Sequence, residues 1–223
     1  MTRAFVLRRL HSLAGVLPLG FFLVEHLWTN ATMLYGQEAF DGAVARIHRL
    51  PGLAWLELLG IFVPLGYHAI YGIFIARKAK LNVGSYPYLG NWLFAIQRVT
   101  GVLTLLFVLL HLWQFHIARV RGALEVSALY SAVERTLSTP GMFALYLAGI
   151  TATIVHFANG LRTAGDTWGL ARSARSRRVI AGLALALGVG MWVVGVNTLY
   201  HFVLRCGGVL PLPGLNRSVV CGS

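Results

Sequence analysis

The chain has 223 residues, of which 57% are hydrophobic and 12% charged, and its mean hydropathy is +0.69. A soluble domain carries about 25% charged residues, so this composition excludes an ordinary soluble protein and indicates a membrane protein. The net charge of +12 does not indicate nucleic-acid binding, because the basic residues lie between apolar segments. No CxxC, CxxCH, GxGxxG or P-loop pattern occurs, which excludes c-type haem, cysteine-ligated iron–sulfur clusters and these nucleotide sites.

Five apolar segments approach the ~20 residues that a bilayer requires, roughly 12–34, 52–76, 92–118, 141–162 and 178–204. The first is not a cleavable signal peptide, because it is too long and lacks a small-residue cleavage site. Irregular backbone is not tolerated against lipid, so all five should be helices. The sequence therefore predicts an all-α, five-helix transmembrane domain over residues 1–205, followed by an extracytoplasmic tail over 206–223.

The basic residues predict the orientation. With the N-terminus in the cytoplasm, twelve Lys and Arg residues lie inside and seven outside, so the positive-inside rule favours an outer C-terminus. Residues 35–51 and 119–140 should form helical pieces on the outer surface, and RSARSRR within 163–178 a cytoplasmic anchor. Cys206 and Cys221 then lie outside, where disulfides persist, and a bridge between them is a hypothesis.

Four histidines lie inside apolar segments. His26, His68, His111 and His156 follow one another at intervals of 42, 43 and 45 residues, so each successive helix carries one. At a rise of about 1.5 Å per residue, His26 and His111 lie roughly 22 and 20 Å from the cytoplasmic face. His68 and His156 lie roughly 13 and 9 Å from it. The four therefore form a deep pair on helices one and three and a shallow pair on helices two and four.

Matched pairs of membrane histidines point to haem. A buried imidazole is costly unless it is bonded, and two axial imidazoles at equal depth on facing helices can hold one haem b. Two pairs predict two haems whose irons differ in depth by roughly 10 Å. The second nitrogen of each ligating imidazole then needs a hydrogen-bond partner. The alternatives are hydrogen bonds between helices, or a proton relay with Glu25 and Glu57 as the available carboxylates.

Four segments carry a family pattern: RRLHSLAGVLPLGFFLVEHL, GYHAIYG, QRVTGVLTLLFVLLHLWQ and VHFANGLR. With them the chain resembles, over about residues 5–205, the dihaem cytochrome b anchor of succinate:quinone oxidoreductases, the succinate dehydrogenases and fumarate reductases. The resemblance implies two haems b with His26, His68, His111 and His156 as axial ligands, paired as above. Epsilon-proteobacterial fumarate reductases carry a proton-transferring glutamate where this chain has Ile154, which puts that route in doubt.

The resemblance also implies partners. The anchor docks a flavoprotein subunit and an iron–sulfur subunit at the cytoplasmic face of the cell membrane, and succinate chemistry occurs on a partner chain. This chain would carry electrons between the iron–sulfur clusters and a quinone, commonly menaquinone, without a catalytic residue of its own. The direction of the reaction, the quinone type and the oligomeric state of the complex stay open.

Two further sets of residues are candidate contacts. Haem propionates are anionic and need donors near a membrane face. The candidates for propionate or inner-quinone contacts, which topology anchoring also explains, are Arg9, His11, Ser12, Gln97, Arg98 and Arg162. The candidates for an outer quinone site are Glu57, Tyr35, Asn30, Trp113 and His116, and an inner slot near His11, Ser12, Tyr86 and Trp92 is the alternative.

Two other function classes compete with this interpretation. One is the dihaem cytochrome b of formate dehydrogenase, hydrogenase or a bc-type complex. In the bc-type protein each ligating helix supplies two histidines, whereas here each supplies one. The other class is a non-redox membrane anchor or transporter, which would be colourless when purified.

Overall fold

The computed structural model describes residues 2–204, and within this range the chain is helical, without strands. Five spans are long and apolar enough to cross a membrane: Arg3–Tyr35, Leu53–Arg77, Leu89–Val120, Pro140–Thr167 and Ala174–Val203. They are named the first to fifth span in chain order. The predicted all-α fold with five membrane helices is thereby confirmed. Cys206 and Cys221 lie outside the described residues, so their bridge stays a hypothesis.

The first span is interrupted at Pro18. One α-helix covers Arg3–Val16, a second covers Pro18–Ala31, and a 3-10 turn over Thr32–Tyr35 ends the span. Proline lacks an amide hydrogen and its ring collides with the preceding turn, which explains the break. The span begins at Arg3 rather than near residue 12, because no glycine or proline separates Arg3 from His11.

The second and third spans each contain a π-helical segment. Leu58–Phe62 separates the α-helices Leu53–Glu57 and Val63–Arg77, and Leu112–Ile117 separates Leu89–His111 from Ala118–Val120. Such segments change the helical register and are frequent at functional sites. The segment of the third span begins directly after His111, so it resets the direction of the residues that follow this histidine.

The fourth and fifth spans are uninterrupted α-helices, Pro140–Thr167 and Ala174–Leu204. Small residues bring them together, since a Cβ added at Gly188 would lie 2.9 Å from that of Ala158. Short helices occupy both regions predicted to lie on the outer surface. They cover Gln37–His48 in the first region, and Val126–Ala128 and Leu129–Leu137 in the second.

The outward side chains of the spans are apolar. Phe21 and Trp28 are each 76% exposed, and Ile70 is 73% exposed. Patches of this extent are rare on proteins surrounded by water. Lipid is the solvent that covers them without cost, in agreement with a multi-pass membrane protein.

The described chain forms two compact units. The His68 unit comprises residues 2–23, 54–105 and 152–189, and the His26 unit comprises residues 24–53, 106–151 and 190–204. The His26 unit has a hydrophobic core built from Met33, Phe40, Tyr130, Leu137, Tyr146, Leu199 and Phe202. The single transmembrane domain over residues 1–205 stays a prediction.

Candidate functional site

In the His68 unit the predicted shallow pair comes together. The ring centres of His68 and His156 lie 6.2 Å apart, and the two ring planes are nearly perpendicular, at 85°. His68 is on the second span and His156 on the fourth, and both side chains are half-buried. Residues 88 positions apart in sequence thus present their imidazoles to each other.

Each ring of this pair has one nitrogen bonded to a backbone carbonyl. His68 Nδ1 lies 3.0 Å from the carbonyl oxygen of His11, and His156 Nδ1 lies 3.1 Å from that of Gln97. A carbonyl oxygen only accepts, so each Nδ1 carries the hydrogen. Each Nε2 then keeps its lone pair and is the nitrogen that can bind a metal. Metal-ligating histidines characteristically have such a partner on the other nitrogen.

Two glycines let neighbouring helices approach these rings. A Cβ added at Gly15 would lie 2.5 Å from His68 Cε1, and one added at Gly101 would lie 2.8 Å from His156 Cε1. Carbon atoms pack best at about 3.5–4.0 Å, so neither site has room for a methyl group. The rings of His68 and His156 therefore pack directly against glycine backbone, and this contact restricts their orientation.

Several polar groups of the His68 unit lack a partner. Within residues 2–204, the buried Nε atoms of Arg9 and Arg98 and the buried Nδ1 of His11 make no hydrogen bond. The ring of His11 stacks on that of His68, with centres 4.0 Å apart and planes within 10°. The guanidinium of Arg98 also donates to the carbonyl of Phe94 at 2.6 Å. Buried unsatisfied donors are costly, and each of these nitrogens could donate to an anionic group.

Gln97 and Arg162 belong to one hydrogen-bonded network. Arg162 Nε donates to Asn159 Oδ1 at 2.9 Å, and Asn159 Nδ2 donates to Gln97 Oε1 at 2.7 Å. Gln97 Nε2 in turn donates to the carbonyl of His156 at 3.1 Å. Asn159 was not among the residues predicted from the sequence. The sequence shows it only as an asparagine within an apolar segment, three residues before an arginine. Ser12 lies half-buried beside His11.

In the His26 unit the predicted deep pair also comes together. The ring centres of His26 and His111 lie 5.6 Å apart at an interplanar angle of 80°. His111 Nδ1 lies 3.4 Å from the hydroxyl of Tyr146, which donates to Gln114 Oε1 at 2.6 Å. His26 Nε2 lies 3.4 Å from the amide of Asn30. Tyr146 and Gln114 were not predicted from the sequence, since no motif links residues 32 positions apart.

The ring separations suit a single metal ion between the members of each pair. An imidazole nitrogen binds a metal at about 2.0–2.1 Å, and the ring centre lies roughly 1 Å behind it. Two imidazoles on opposite sides of one ion therefore have ring centres about 6 Å apart. The observed values of 6.2 and 5.6 Å agree with this arrangement. The donor set also fits, since two neutral imidazoles are the axial ligands of a b-type haem.

The candidates for quinone contacts are distributed between the units. Asn30, Tyr35, Trp113 and His116 belong to the His26 unit, whereas Glu57 belongs to the His68 unit. Tyr35 is exposed, the guanidinium of Arg121 lies over the Trp113 ring, and His116 contacts Arg119.

Glu57 is half-buried and directly precedes the π-helical segment Leu58–Phe62. Tyr86 and Trp92, of the alternative inner slot, are both exposed. The quinone sites stay predictions.

Comparison with known proteins gave two matches. Residues 76–197 match the family described as "Succinate dehydrogenase/Fumarate reductase transmembrane subunit". Over 201 residues the chain is 44% identical to the "Succinate dehydrogenase cytochrome b558 subunit" of Bacillus subtilis (strain 168). That alignment covers 90% of this chain and 98% of the Bacillus protein.

Proposed function

The chain belongs to the family of succinate dehydrogenase and fumarate reductase transmembrane subunits, and we propose that it is a dihaem cytochrome b anchor passing electrons between its partner subunits and a quinone. One observation carries the proposal. Two histidine pairs, on four different spans, hold their rings at a separation that would suit two imidazoles binding one iron. The name of the Bacillus relative, a cytochrome b558 subunit, supports the assignment of haem b.

Within the proposal each group of residues has a distinct role. His68 and His156 would hold one haem through their Nε2 atoms, and His26 and His111 would hold the other. Haem b supplies a one-electron carrier buried in the membrane. The carbonyls of His11 and Gln97 keep the hydrogen on Nδ1, which orients each ligand and raises its basicity.

Buried donors without a partner fit the anionic propionate groups of a haem. Arg9, His11 and Arg98 each have a buried nitrogen without a partner among residues 2–204. Charge-assisted hydrogen bonds to carboxylates are roughly twice as strong as neutral ones. These three residues are therefore our choice for propionate contacts, ahead of Ser12, Gln97 and Arg162. Gln97 and Arg162 already bond within the protein.

The surroundings of the subunit follow from charge and family. Membership of a succinate dehydrogenase family implies partner subunits of the complex. We assign them as a flavoprotein and an iron–sulfur protein at the cytoplasmic face of the cell membrane. The excess of basic residues supports an N-terminus on that face and a C-terminus outside. The quinone, commonly menaquinone in this family, would react at the outer candidates predicted from the sequence.

A spectroscopic experiment tests the proposal. The complex is purified in detergent, and a dithionite-reduced minus oxidised spectrum is recorded together with the haem content per polypeptide. We expect a b-type alpha band and two haems per chain, with flavin and iron–sulfur clusters in co-purifying subunits. A colourless preparation would refute the cytochrome assignment, and one haem per chain would refute the two-pair arrangement.

A further inference from the structure

A buried asparagine connects the cytoplasmic end of the fourth span to a proposed haem ligand. We propose that Asn159 is a positioning residue for His156 and acts through Gln97. This inference rests on the proposed function, since it assumes that His156 binds haem. Asn159 is only 8% exposed, and its side chain makes three hydrogen bonds.

The direction of every hydrogen bond in this network is determined. Arg162 Nε can only donate, so the atom of Asn159 that it contacts at 2.9 Å must be the oxygen. The other amide atom contacts the carbonyl oxygen of Leu93 at 2.9 Å and must be the nitrogen. Both ends of the Asn159 amide are thus assigned from obligate partners, without reference to Gln97.

The same argument orients Gln97. Its amide contacts the carbonyl oxygen of His156 at 3.1 Å, which requires a donor, so Gln97 Nε2 faces His156. Gln97 Oε1 then faces Asn159 Nδ2 at 2.7 Å and accepts from it. The bonds run in one direction, from the Arg162 guanidinium through two amides to the carbonyl of His156. Chains of this kind strengthen one another in a medium of low dielectric constant.

Gln97 holds His156 at two points. Its side chain donates to the His156 carbonyl, and its own carbonyl accepts the hydrogen of His156 Nδ1 at 3.1 Å. Asn159 anchors this arrangement, because it bonds to two residues of the third span one helical turn apart, Leu93 and Gln97. Without the Asn159 amide, the Gln97 side chain loses one of its two hydrogen-bond partners. The backbone carbonyl of Gln97, which orients the His156 ring, is then held less rigidly.

Two substitutions at Asn159 test this role in the intact complex. Asn159→Leu removes all three bonds at similar size, and Asn159→Asp keeps the acceptor for Arg162 but removes both donors. Loss of a partner that orients a metal ligand typically costs 10–100-fold in metal affinity. We expect haem affinity at the His68 unit to fall by about this factor in both variants. The midpoint potential and low-field electron paramagnetic resonance signal of that haem should also shift.

The haem of the His26 unit serves as an internal reference, and its signal should stay unchanged. The spectrum of His156→Ala identifies which signal belongs to the His68 unit. A matched control is Thr151→Val, also on the fourth span. It removes a side-chain hydrogen bond between spans, from Trp192 Nε1 at 2.9 Å, and the hydroxyl of Thr151 itself donates to the carbonyl of Leu147. This control should retain both haem signals of the wild-type complex.

The inference would be overturned if both Asn159 variants kept the wild-type haem affinity, midpoint potential and electron paramagnetic resonance signal at the His68 unit. If the Asn159 variants and Thr151→Val all lose both haems equally, the substitutions destabilise the whole protein, and this result would also overturn the inference. Should neither Asn159 variant assemble, Gln97→Glu decides, because it keeps the acceptor for Asn159 but cannot donate to His156. A shift confined to the His68 haem supports the inference, and no shift overturns it. A wild-type complex without haem would refute the proposed function itself, before any variant is compared.

Discussion

Substitution of Gly15 by alanine should displace a proposed haem ligand. The added Cβ would lie 2.5 Å from His68 Cε1, whereas carbon atoms pack at about 3.5 Å or more. The imidazole must therefore retreat by about 1 Å from the first span. The carbonyl that accepts its hydrogen, that of His11, lies on the same span at 3.0 Å from Nδ1. A retreat of this size stretches that contact to about 4 Å, which is too long for a hydrogen bond.

The energetic terms have opposite signs. Alanine gains about 1 kcal/mol over glycine in a helix interior. Overpacking costs about 1–3 kcal/mol, and loss of the hydrogen bond removes about 0.5–1.5 kcal/mol more. The unfavourable terms together outweigh the gain, so the complex should be less stable. Because the ligand also loses the carbonyl that orients it, haem affinity at this site should fall about 10–100-fold.

Haem content per polypeptide and the midpoint potential of each haem are the measurements. Gly182→Ala is the matched control, since Gly182 is an exposed helical glycine of the fifth span and an added Cβ meets nothing within 4 Å. We expect Gly182→Ala to keep both haems and Gly15→Ala to lose the haem of the His68 unit selectively. Two haems with unchanged potentials in Gly15→Ala would show that the ring is not confined by Gly15.

Three further variants test other parts of the proposed site. His111→Ala should remove the haem of the His26 unit and spare that of the His68 unit in the reduced-minus-oxidised spectrum; loss of the His68 haem instead would refute the pairing with His26. Tyr146→Phe leaves Gln114 Oε1 without its 2.6 Å donor, so the complex should lose about 1–3 kcal/mol of stability and melt at a lower temperature. Of the two haems, only that of the His26 unit should change its midpoint potential. An unchanged melting curve would refute that role. Glu57→Gln should slow electron transfer to quinone at unchanged haem content, and full quinone reductase activity would exclude Glu57 from that site.

The five spans and the four histidines follow from the sequence. A bilayer requires about 20 apolar residues in a helix, so composition and segment length are sufficient to locate the spans. The fixed rise of a helix converts sequence position into depth, and this arithmetic predicted His26 with His111 and His68 with His156. Each pair lies within one unit, at a ring separation of 5.6 Å for His26 and His111 and of 6.2 Å for His68 and His156. Their role as haem ligands stays a prediction.

The contacts around the histidines required the tertiary structure. A membrane helix is apolar on the side that faces lipid and on the side that faces its neighbours, so periodicity does not reveal which face is internal. Gly15 and Gly101 therefore could not be distinguished from the other glycines of the spans. Their importance comes from rings that other spans bring against them.

The same limit applies to the polar partners. Asn159 and Tyr146 are ordinary residues until the fold places Gln97 beside one and Gln114 beside the other. The length of each span, its orientation in the membrane and the depth of its histidine depend on residues close together in sequence, so the sequence predicts them. The nitrogen available to the metal in the His68 unit is different. It depends on carbonyls of other spans, over 50 residues away in sequence, and only their packing against the rings decides it.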